Sequence, residues 1–159
     1  MMKKRLTSLA LSAMMVLSMV PATAFAAKDA GTPPTYNSAT GCYEISTPAQ
    51  LLYLSGKWKD GAPRDGHYVL TADIDMSGVK GFKPIASKKA EGFTGTFDGQ
   101  FHSIKGLRVE YEKKYAGLFG YVGNQNDQAY IKNVALLDCY VTGQQNVGAL
   151  AGVNYGTIT

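Results

Sequence analysis

Cysteine, histidine and tryptophan are scarce in this sequence, which contains two Cys, two His and one Trp in 159 residues. Two cysteines, Cys42 and Cys139, are too few for the disulfide framework of a small secreted scaffold. One bridge between them is compatible with an oxidising environment; the alternative is a buried free thiol at Cys139, which lies in an apolar strand pattern. The sequence also has no HExxH string and no His/Cys pair at ligand spacing, so it lacks the pattern of a hydrolytic zinc site.

Motifs for nucleophilic catalysis and phosphate binding are missing as well. No GxSxG elbow occurs, and nothing next to either cysteine would activate a thiolate. The glycine-rich strings GTFDGQ (95–100) and GLFGYVGN (117–124) lack the Lys-Ser/Thr ending and the strand-to-helix context of phosphate-binding loops. We therefore expect neither catalysis nor a cofactor in this chain.

A long apolar run occurs only near the start, from Leu6 to Val20, directly after three basic residues at 3–5. The pattern Ala24-Phe25-Ala26, small at both ends, follows it. The run is too short for a membrane span and has the flanks of a secretory signal peptide. We predict that residues 1–26 are removed on export, that the mature chain lies outside the cell or on its surface, and that it has no further membrane span.

An excess of one charge is also missing once the signal peptide is removed. The whole sequence has 16 Lys and Arg against 12 Asp and Glu, and residues 1–26 contain three of the basic residues and none of the acidic ones. The nearly neutral mature chain argues against nucleic acid or an anionic membrane as its partner. Residues 27–41, rich in small polar residues, Pro and Gly, predict a flexible linker ahead of one domain at 42–159.

The domain opens with a helix signal. Thr47 is a suitable N-cap, Pro48 suits the first helical position, and Gln50 can reach back as in a capping box. Leu51, Leu54 and Trp58 then fall on one helical face, a set that predicts an amphipathic capping helix from Pro48 to Trp58. Alternating apolar residues and turn signals predict strands thereafter.

Two interleaved repeats run through the strand region. IKGLRV (104–109) and IKNVAL (131–136) have apolar residues at the same offsets, 27 positions apart, and Ile158 lies another 27 positions on. GLFGYV (117–122) and ALAGVN (149–154) match at an offset of 32. Repeats that keep their apolar positions while the spacers change length are typical of stacked coils, so we predict that Ile104, Ile131 and Ile158 stack on one another.

The repeats also predict the core and the corners of the fold. Apolar residues at equivalent positions should be buried between coils, and glycines should lie where the chain turns sharply or two backbones approach closely. The predicted core residues are Ile104, Leu107, Val109, Leu118, Ile131, Val134, Leu136, Leu150 and Ile158. The predicted corner glycines are Gly95, Gly99, Gly106, Gly117, Gly120, Gly148 and Gly152.

Six strings in order carry a resemblance to a known family: ISTPAQLLYLS, YVLTADIDMSG, FTGTFDGQFHSIKGLRV, AGLFGYV, IKNVALLDCYVTG and VGALAGVNYGTIT, spanning about residues 43–159. The chain resembles bacterial surface proteins with GLUG-motif repeats. The resemblance implies a right-handed parallel β-helix and a place in a large secreted or wall-attached protein, a class that includes some immunoglobulin A-cleaving metallopeptidases. Ala149 and Ala151 depart from the GLFG signature in the second copy, while Leu150 and Gly152 keep the core and corner positions.

Three aspartates are candidates for chemistry. Asp73 and Asp75 share one strand face, and Asp98 follows in TFDGQ, so a carboxylate cluster could hold Ca²⁺ for polysaccharide cleavage. The alternative, which we favour, is that Asp73 and Asp75 are outward strand residues and that Asp98 forms an Asx turn. His102 is interpreted as a residue that braces a turn by hydrogen bonding.

The ten tyrosines are the remaining candidates. Exposed tyrosines on a flat face could stack on sugar rings or contact a protein partner. Alternatively, they fill corners and shield the ends of the core.

These observations predict an all-β fold, a right-handed parallel β-helix with an N-terminal capping helix. We expect a secreted or cell-surface structural or adhesive module that binds a surface glycan or a host protein, with no metal, cofactor or nucleic acid. The alternatives are a polysaccharide lyase or hydrolase on the same scaffold, or an accessory region of a large surface metallopeptidase. Because the sequence reaches Thr159 without a capping element, we also expect further coils or domains C-terminal to it.

Overall fold

A computed structural model describes residues 31–56 and 62–159 of the chain. The predicted signal peptide and Trp58 lie outside the described residues. Within those two ranges, no helix is long and apolar enough to cross a membrane.

Strands dominate the described residues, so the prediction of an all-β fold is confirmed. The strands are β1 (Thr35–Asn37), β2 (Cys42–Ile45), β3 (His67–Leu70), β4 (Ile74–Asp75), β5 (Thr96–Asp98), β6 (Ser103–Lys105), β7 (Arg108–Ala116), β8 (Phe119–Val122), β9 (Tyr130–Lys132), β10 (Ala135–Leu137), β11 (Tyr140–Val147), β12 (Ala151–Asn154) and β13 (Thr157–Ile158). Helix α1 spans Pro48–Tyr53, and a 3₁₀ helix spans Lys89–Glu91.

The N-terminal end differs from the prediction. In place of a flexible linker over residues 27–41, the described part contains β1, which pairs antiparallel with β2. The Thr32 N–H also donates to the Ala49 carbonyl at 3.1 Å. This pairing occupies backbone groups of β2 that would otherwise form an open sheet edge, which explains why so polar a segment is ordered here.

Helix α1 begins as predicted but ends early. Thr47 is the N-cap, and its Oγ1 accepts from the Gln50 N–H at 3.3 Å. Gln50 reaches one residue further back than in a standard capping box, because its Oε1 accepts from the Ser46 N–H at 2.8 Å. The helix ends at Tyr53, and Gly56 follows with a φ of +85°, a left-handed conformation that suits glycine and redirects the chain.

The strands form four sheets, in which all pairs except β1–β2 are parallel. The largest sheet has the order β1-β2-β3-β5-β9-β13, and a second has the order β10-β6-β4. Strand β11 pairs with β7, and β12 pairs with β8. From β3 onwards, strands that follow one another in the chain belong to different sheets, and the strands paired within a sheet are distant in sequence.

Paired residues form rows across the largest sheet. Tyr43 lies beside Tyr68, Tyr68 beside Phe97, Phe97 beside Ile131, and Ile131 beside Ile158. Parallel pairing in register places each side chain next to its equivalent on the adjoining strand, on the same face of the sheet. The row begins with half-buried Tyr43 and is fully buried at Tyr68 and Phe97.

The predicted stack of Ile104 on Ile131 is wrong, whereas the pairing of Ile131 with Ile158 is confirmed. Ile104 belongs to the three-stranded sheet, where it pairs with Ile74 and Leu136. The Ile-Lys string occurs on two different sheets, so the shorter repeat offset relates neighbouring strands at Ile131 and Ile158 but not at Ile104 and Ile131.

The longer repeat offset, which aligns GLFGYV with ALAGVN, describes the pairing correctly. The same offset relates Ser103 to Ala135 in the three-stranded sheet and Phe119 to Ala151 in the β8–β12 pair. This alignment therefore corresponds to physical contact between strands.

The hydrophobic core is continuous across the sheets. Among the predicted core residues, those fully buried are Ile104, Leu107, Val109, Leu118 and Ile131. Those partly buried and packed against the core are Val134, Leu136 and Leu150, while Ile158 remains 39% exposed. Burial thus decreases towards the strands that have one described neighbour, because the other side of each such strand faces solvent.

The predicted corner glycines fall into different structural classes. Gly120 and Gly152 lie within β8 and β12, so their assignment to corners is wrong. Gly120 is required by close packing, since a Cβ there would lie 2.7 Å from Ser87 Cα and 2.9 Å from the Ala86 carbonyl oxygen. Gly106 alone among the seven has a positive φ, +66°. The other four lie between strands, each against a backbone carbonyl: Gly95, Gly99, Gly117 and Gly148.

Candidate functional site

The candidate aspartates bind local backbone groups. Asp75 Oδ1 accepts from the Ser77 N–H at 2.9 Å, and Asp98 Oδ1 accepts from the Gln100 N–H at 2.9 Å, which is the Asx turn expected at Asp98. The apolar residues on both sides of Asp75 are buried, so this carboxylate faces outwards.

Asp73 connects two neighbouring segments. Its Oδ1 accepts from the Ser103 N–H at 2.7 Å and lies 3.4 Å from Nδ1 of His102. The hydrogen bonds from Ser103, with a smaller contribution from His102, hold the pKa of Asp73 below its usual value. The backbone N–H of His102 donates to the Gly99 carbonyl at 2.7 Å, so main-chain atoms close this turn and the imidazole connects it to Asp73.

Asp98 makes a second connection between strands. Its Oδ2 lies 3.1 Å from Lys132 Nζ on β9, and its Oδ1 accepts from Asn133 Nδ2 at 3.1 Å. Burial raises the pKa of Asp98, but the hydrogen bonds from Gln100, Asn133 and Lys132 outweigh burial and lower it. In the described ranges, no three His, Cys, Asp or Glu side chains are grouped so that they could hold a metal ion. Asp73 and Asp98 therefore tie neighbouring segments together, whereas Asp75 bonds only within its own turn.

A groove of about 1150 Å³ lies beside β7 and β11. Its walls are formed by Ser55–Gly56, Lys83, Ser87–Lys88, Glu110–Lys113 of β7 and Thr142–Gln144 of β11. The Lys83 N–H donates to Ser55 Oγ at 2.7 Å and so joins two of the walls. We refer to this cavity as the β7–β11 groove.

A β-bulge shapes the β7–β11 groove. Tyr111 pairs with Gly143, but Lys114 pairs with Gln145, so two residues of β7, Glu112 and Lys113, stand opposite a single residue of β11. In a regular strand, consecutive side chains point to opposite faces, and a bulge interrupts this alternation. Gly143 pairs with Tyr111 just before the bulge, and a Cβ at Gly143 would lie 2.7 Å from Ala116 Cβ, so close packing requires glycine there. The irregularity allows the polar residues 110–113 to border one cavity.

The charged groups of the groove are only partly paired. Arg108 Nη2 lies 2.6 Å from Glu110 Oε1, and Lys88 Nζ lies 3.0 Å from Glu91 Oε1. Within the described part of the chain, Lys83, Glu112 and Lys113 have no ion-pair partner. The groove thus offers ammonium donors and a carboxylate acceptor that are not used by the fold.

A smaller cavity of about 440 Å³ lies between Arg64, the 3₁₀ helix and the loop Asn124–Asp127. Its polar loop groups are engaged within the loop, because Asn124 Oδ1 accepts from the N–H groups of Asn126 and Asp127 at 2.7 and 2.8 Å. Tyr121 also borders it, and burial, together with a hydrogen bond to Tyr155, raises the pKa of Tyr121 to about 12. This cavity has fewer unused polar groups than the β7–β11 groove.

The tyrosines do not form one exposed aromatic surface. The exposed ones, Tyr36, Tyr130, Tyr140 and Tyr155, lie on or beside four different strands. Tyr68 and Tyr121 are buried, and the remaining described tyrosines are half-buried. Most of the tyrosines therefore act as packing residues, and Tyr111 is the one that borders the groove.

Both cysteines are free thiols. Cys42 Sγ contacts the Thr40 carbonyl at 3.5 Å, and Cys139 is half-buried against the hydrophobic core. Cys139 thus has the packing expected of a small apolar side chain.

The comparisons with known proteins show similarity over a segment. Residues of this chain are 36% identical over 107 positions to halomucin from Haloquadratum walsbyi, a match that covers 63% of this chain and 1% of that protein. They are 34% identical over 125 positions to a protein of Evansella cellulosilytica whose name describes it as a Gly-rich membrane protein, covering 73% of this chain and 14% of that one. The chain therefore spans a small part of each relative.

No family model matches the chain, and no solved structure matches it. The groove residues Lys83, Glu112 and Lys113 were not among those selected from the sequence, since no motif contains them. At the bulge, the one feature visible in the sequence is the pair of consecutive lysines in EYEKKYAG, residues 110–117.

Proposed function

We propose that this chain is an exported, surface-associated structural module that binds a surface glycan or a host protein and has no catalysis of its own. We propose further that it is wound as a right-handed parallel β-helix of the GLUG-repeat type. The observation that carries this proposal is the parallel pairing, in register, of strands from successive parts of the chain.

The spacing of the paired residues supports a winding chain. Along the row from Tyr43 to Ile158, neighbouring paired residues are between 25 and 34 positions apart. Ile74, Ile104 and Leu136 follow one another at similar spacing in the three-stranded sheet. Parallel strands need long crossover connections, and here strands of the other sheets take the place that helices occupy in βαβ units. A chain that returns to each sheet about every 30 residues is consistent with stacked coils.

The sequence start and one relative's name support the surface location. Residues 1–26 have the basic start, apolar run and small residues of a signal peptide. The Evansella relative is named as a membrane protein. Both observations support a module that is displayed outside the cell.

The polysaccharide lyase alternative receives no support from the aspartates. Asp73, Asp75 and Asp98 each accept a backbone N–H, and a lyase would need carboxylates free to hold Ca²⁺ with a base nearby. The contacts of these side chains are contacts of the fold.

We also propose that a further coil of the same kind packs against β10, β12 and β13. Leu136, Leu150 and Ile158 are partly exposed, although the residues that precede them in the repeat, Ile104, Leu118 and Ile131, are fully buried. A coil placed there would bury the remaining apolar surface at about 25 cal/mol per Å².

Expression of residues 1–159 in a bacterial host tests the location. We expect protein in the medium or on the cell surface, with the intact mass of a chain that begins at Ala27. The variant Leu17→Arg, which interrupts the apolar run, should remain inside the cell. Secreted protein that still carries Met1, or export that is unaffected by Leu17→Arg, would contradict the signal peptide. Mature protein that binds neither intact cells nor purified surface glycans and host-cell proteins would contradict the binding role.

A further inference from the structure

The charge of the β7–β11 groove restricts its ligands. Three lysines and two glutamates border it, and one of each sign is paired with a neighbouring residue. Attraction of a polyanion requires a surface dominated by positive charge, which this nearly balanced lining does not provide. The groove therefore suits a ligand without a large net charge.

The polar character of the lining restricts the ligand further. Tyr111 is the one aromatic residue that borders the groove, and the remaining side chains carry hydroxyl, amide, ammonium or carboxylate groups. Protein and peptide partners are usually anchored by several large apolar side chains in dry pockets. A sugar ring instead needs one aromatic platform surrounded by hydrogen-bond donors and acceptors.

The unpaired side chains of the groove can form hydrogen bonds with the hydroxyl groups of a sugar. Lys83 and Lys113 can donate to hydroxyl or ring oxygens, and Glu112 can accept from hydroxyl groups. None of the three has an ion pair within the described ranges, so binding would not break a contact that stabilises the fold. Thr142 and Gln144 place further donors and acceptors on the opposite wall.

The size of the groove indicates an oligomer. Its volume of about 1150 Å³ exceeds the roughly 300–1,000 Å³ of sites for single small molecules. Its walls extend from Ser55 across Lys83 to the neighbouring strands β7 and β11, which gives the site length across the strands. A single monosaccharide would leave most of this space unfilled.

We propose that the β7–β11 groove binds an uncharged oligosaccharide, with one pyranose ring against Tyr111 and hydroxyl groups bound by Glu112 and Lys113. This inference rests on the proposed binding function and specifies its ligand class. The bulge at Glu112–Lys113 is the structural element that turns both side chains towards the groove.

Isothermal titration of the secreted chain tests the proposal with hexasaccharides of glucose, mannose and N-acetylglucosamine as the probes. Polygalacturonate is titrated as an acidic polysaccharide for comparison, and a tryptic digest of serum albumin is titrated as a mixture of peptides. We expect at least one neutral hexasaccharide to bind, with about tenfold weaker affinity for Glu112→Gln and for Lys113→Gln, as for loss of one charge-assisted hydrogen bond. Lys114→Gln is the matched control, because Lys114 is adjacent on β7 but does not border the groove; it should bind like the unaltered chain.

The substituted side chains are exposed, so all three variants should melt like the unaltered chain. Absence of binding to every neutral hexasaccharide overturns the proposal. So does binding that the Glu112 and Lys113 variants leave unchanged, because it would lie elsewhere on the surface. Binding confined to polygalacturonate or to the peptides overturns the uncharged-sugar assignment while leaving the proposed binding function standing.

Discussion

Tyr111 on β7 lies beside Gly143 on β11, and the register of the two strands shifts immediately afterwards. A side chain at position 143 would crowd its surroundings, since a Cβ there would lie 2.7 Å from Ala116 Cβ. Glycine is therefore required by packing at position 143, and the bulge at Glu112–Lys113 follows it at the border of the polar groove. The same positions would form an ordinary strand pair if the register continued.

Gly120→Val should destabilise the domain by about 1–3 kcal/mol or more, because the added atoms overpack a site already in contact with the Ser87 and Ala86 backbone. Gly78→Val is the matched control, since no atom lies within 4 Å of the Cβ position at Gly78. Urea unfolding of both variants provides the measurement. Equal midpoints would show that the neighbouring segment moves away without cost.

Phe97→Ala should lower the free energy of unfolding by about 3–5 kcal/mol, because the Phe97 side chain is fully buried in the row between Tyr68 and Ile131. Ile158→Ala, at the partly exposed end of the same row, should cost less than about 1 kcal/mol. Chemical denaturation compares the two. If Ile158→Ala lowered the free energy of unfolding by more than this, the end of the row would be covered in solution.

Asp98→Asn should reduce the acid sensitivity of the fold. The folded-state pKa of Asp98 is lowered, so its stabilising effect is fully present above the unfolded value of about 3.9 and is lost as the pH falls through the folded pKa. Melting temperatures between pH 6 and pH 2 should therefore fall more steeply for the unaltered chain than for Asp98→Asn. The control is Asp138→Asn, because Asp138 is exposed and makes no hydrogen bond to other described residues. Parallel curves for the unaltered chain and Asp98→Asn would contradict the role of Asp98.

Amide exchange should be slower in β8 than in β12. The Phe119 N–H donates to the Leu150 carbonyl and the Gly120 N–H to the Ile85 carbonyl, so β8 has bonded neighbours on both sides. Strand β12 pairs with β8 and with no other described strand. Hydrogen exchange of the mature chain measures the difference. Equal protection at Phe119 and Ala151 would indicate that a further segment covers β12.

The local features of the fold follow from the sequence. Thr47 and Pro48 start α1 because the side-chain oxygen and the fixed backbone angle act within one turn of the chain. Alternation of apolar residues identifies buried positions such as Ile104 and Val109, since neighbouring strand residues face opposite sides. The all-β character of the fold and the start of the helix were therefore predicted correctly, whereas the end of the helix and the strand β1 were not.

The bulge that shapes the groove is invisible to the sequence repeat. Val109 and Phe119 are as far apart in the chain as their partners Val141 and Ala151, so the longer repeat offset is the same before and after the irregularity. The extra residue in β7 is balanced by an extra residue ahead of β12. A comparison of segment lengths therefore gives no sign of the bulge, and its position depends on how the two strands pack.

The sequence by itself determined that strands follow the helix, which of their positions are buried, and that the segment containing GLFGYV is repeated in the one containing ALAGVN. Only the tertiary structure decided which strands are neighbours where the two repeat offsets disagree, as the pairing of Ile104 with Leu136 rather than with Ile131 shows. Strand formation and alternation depend on neighbouring residues, whereas the choice of partner depends on the path of the whole intervening chain. The groove belongs to the second group, because its walls come from segments between Ser55 and Gln144 that only this pairing brings together.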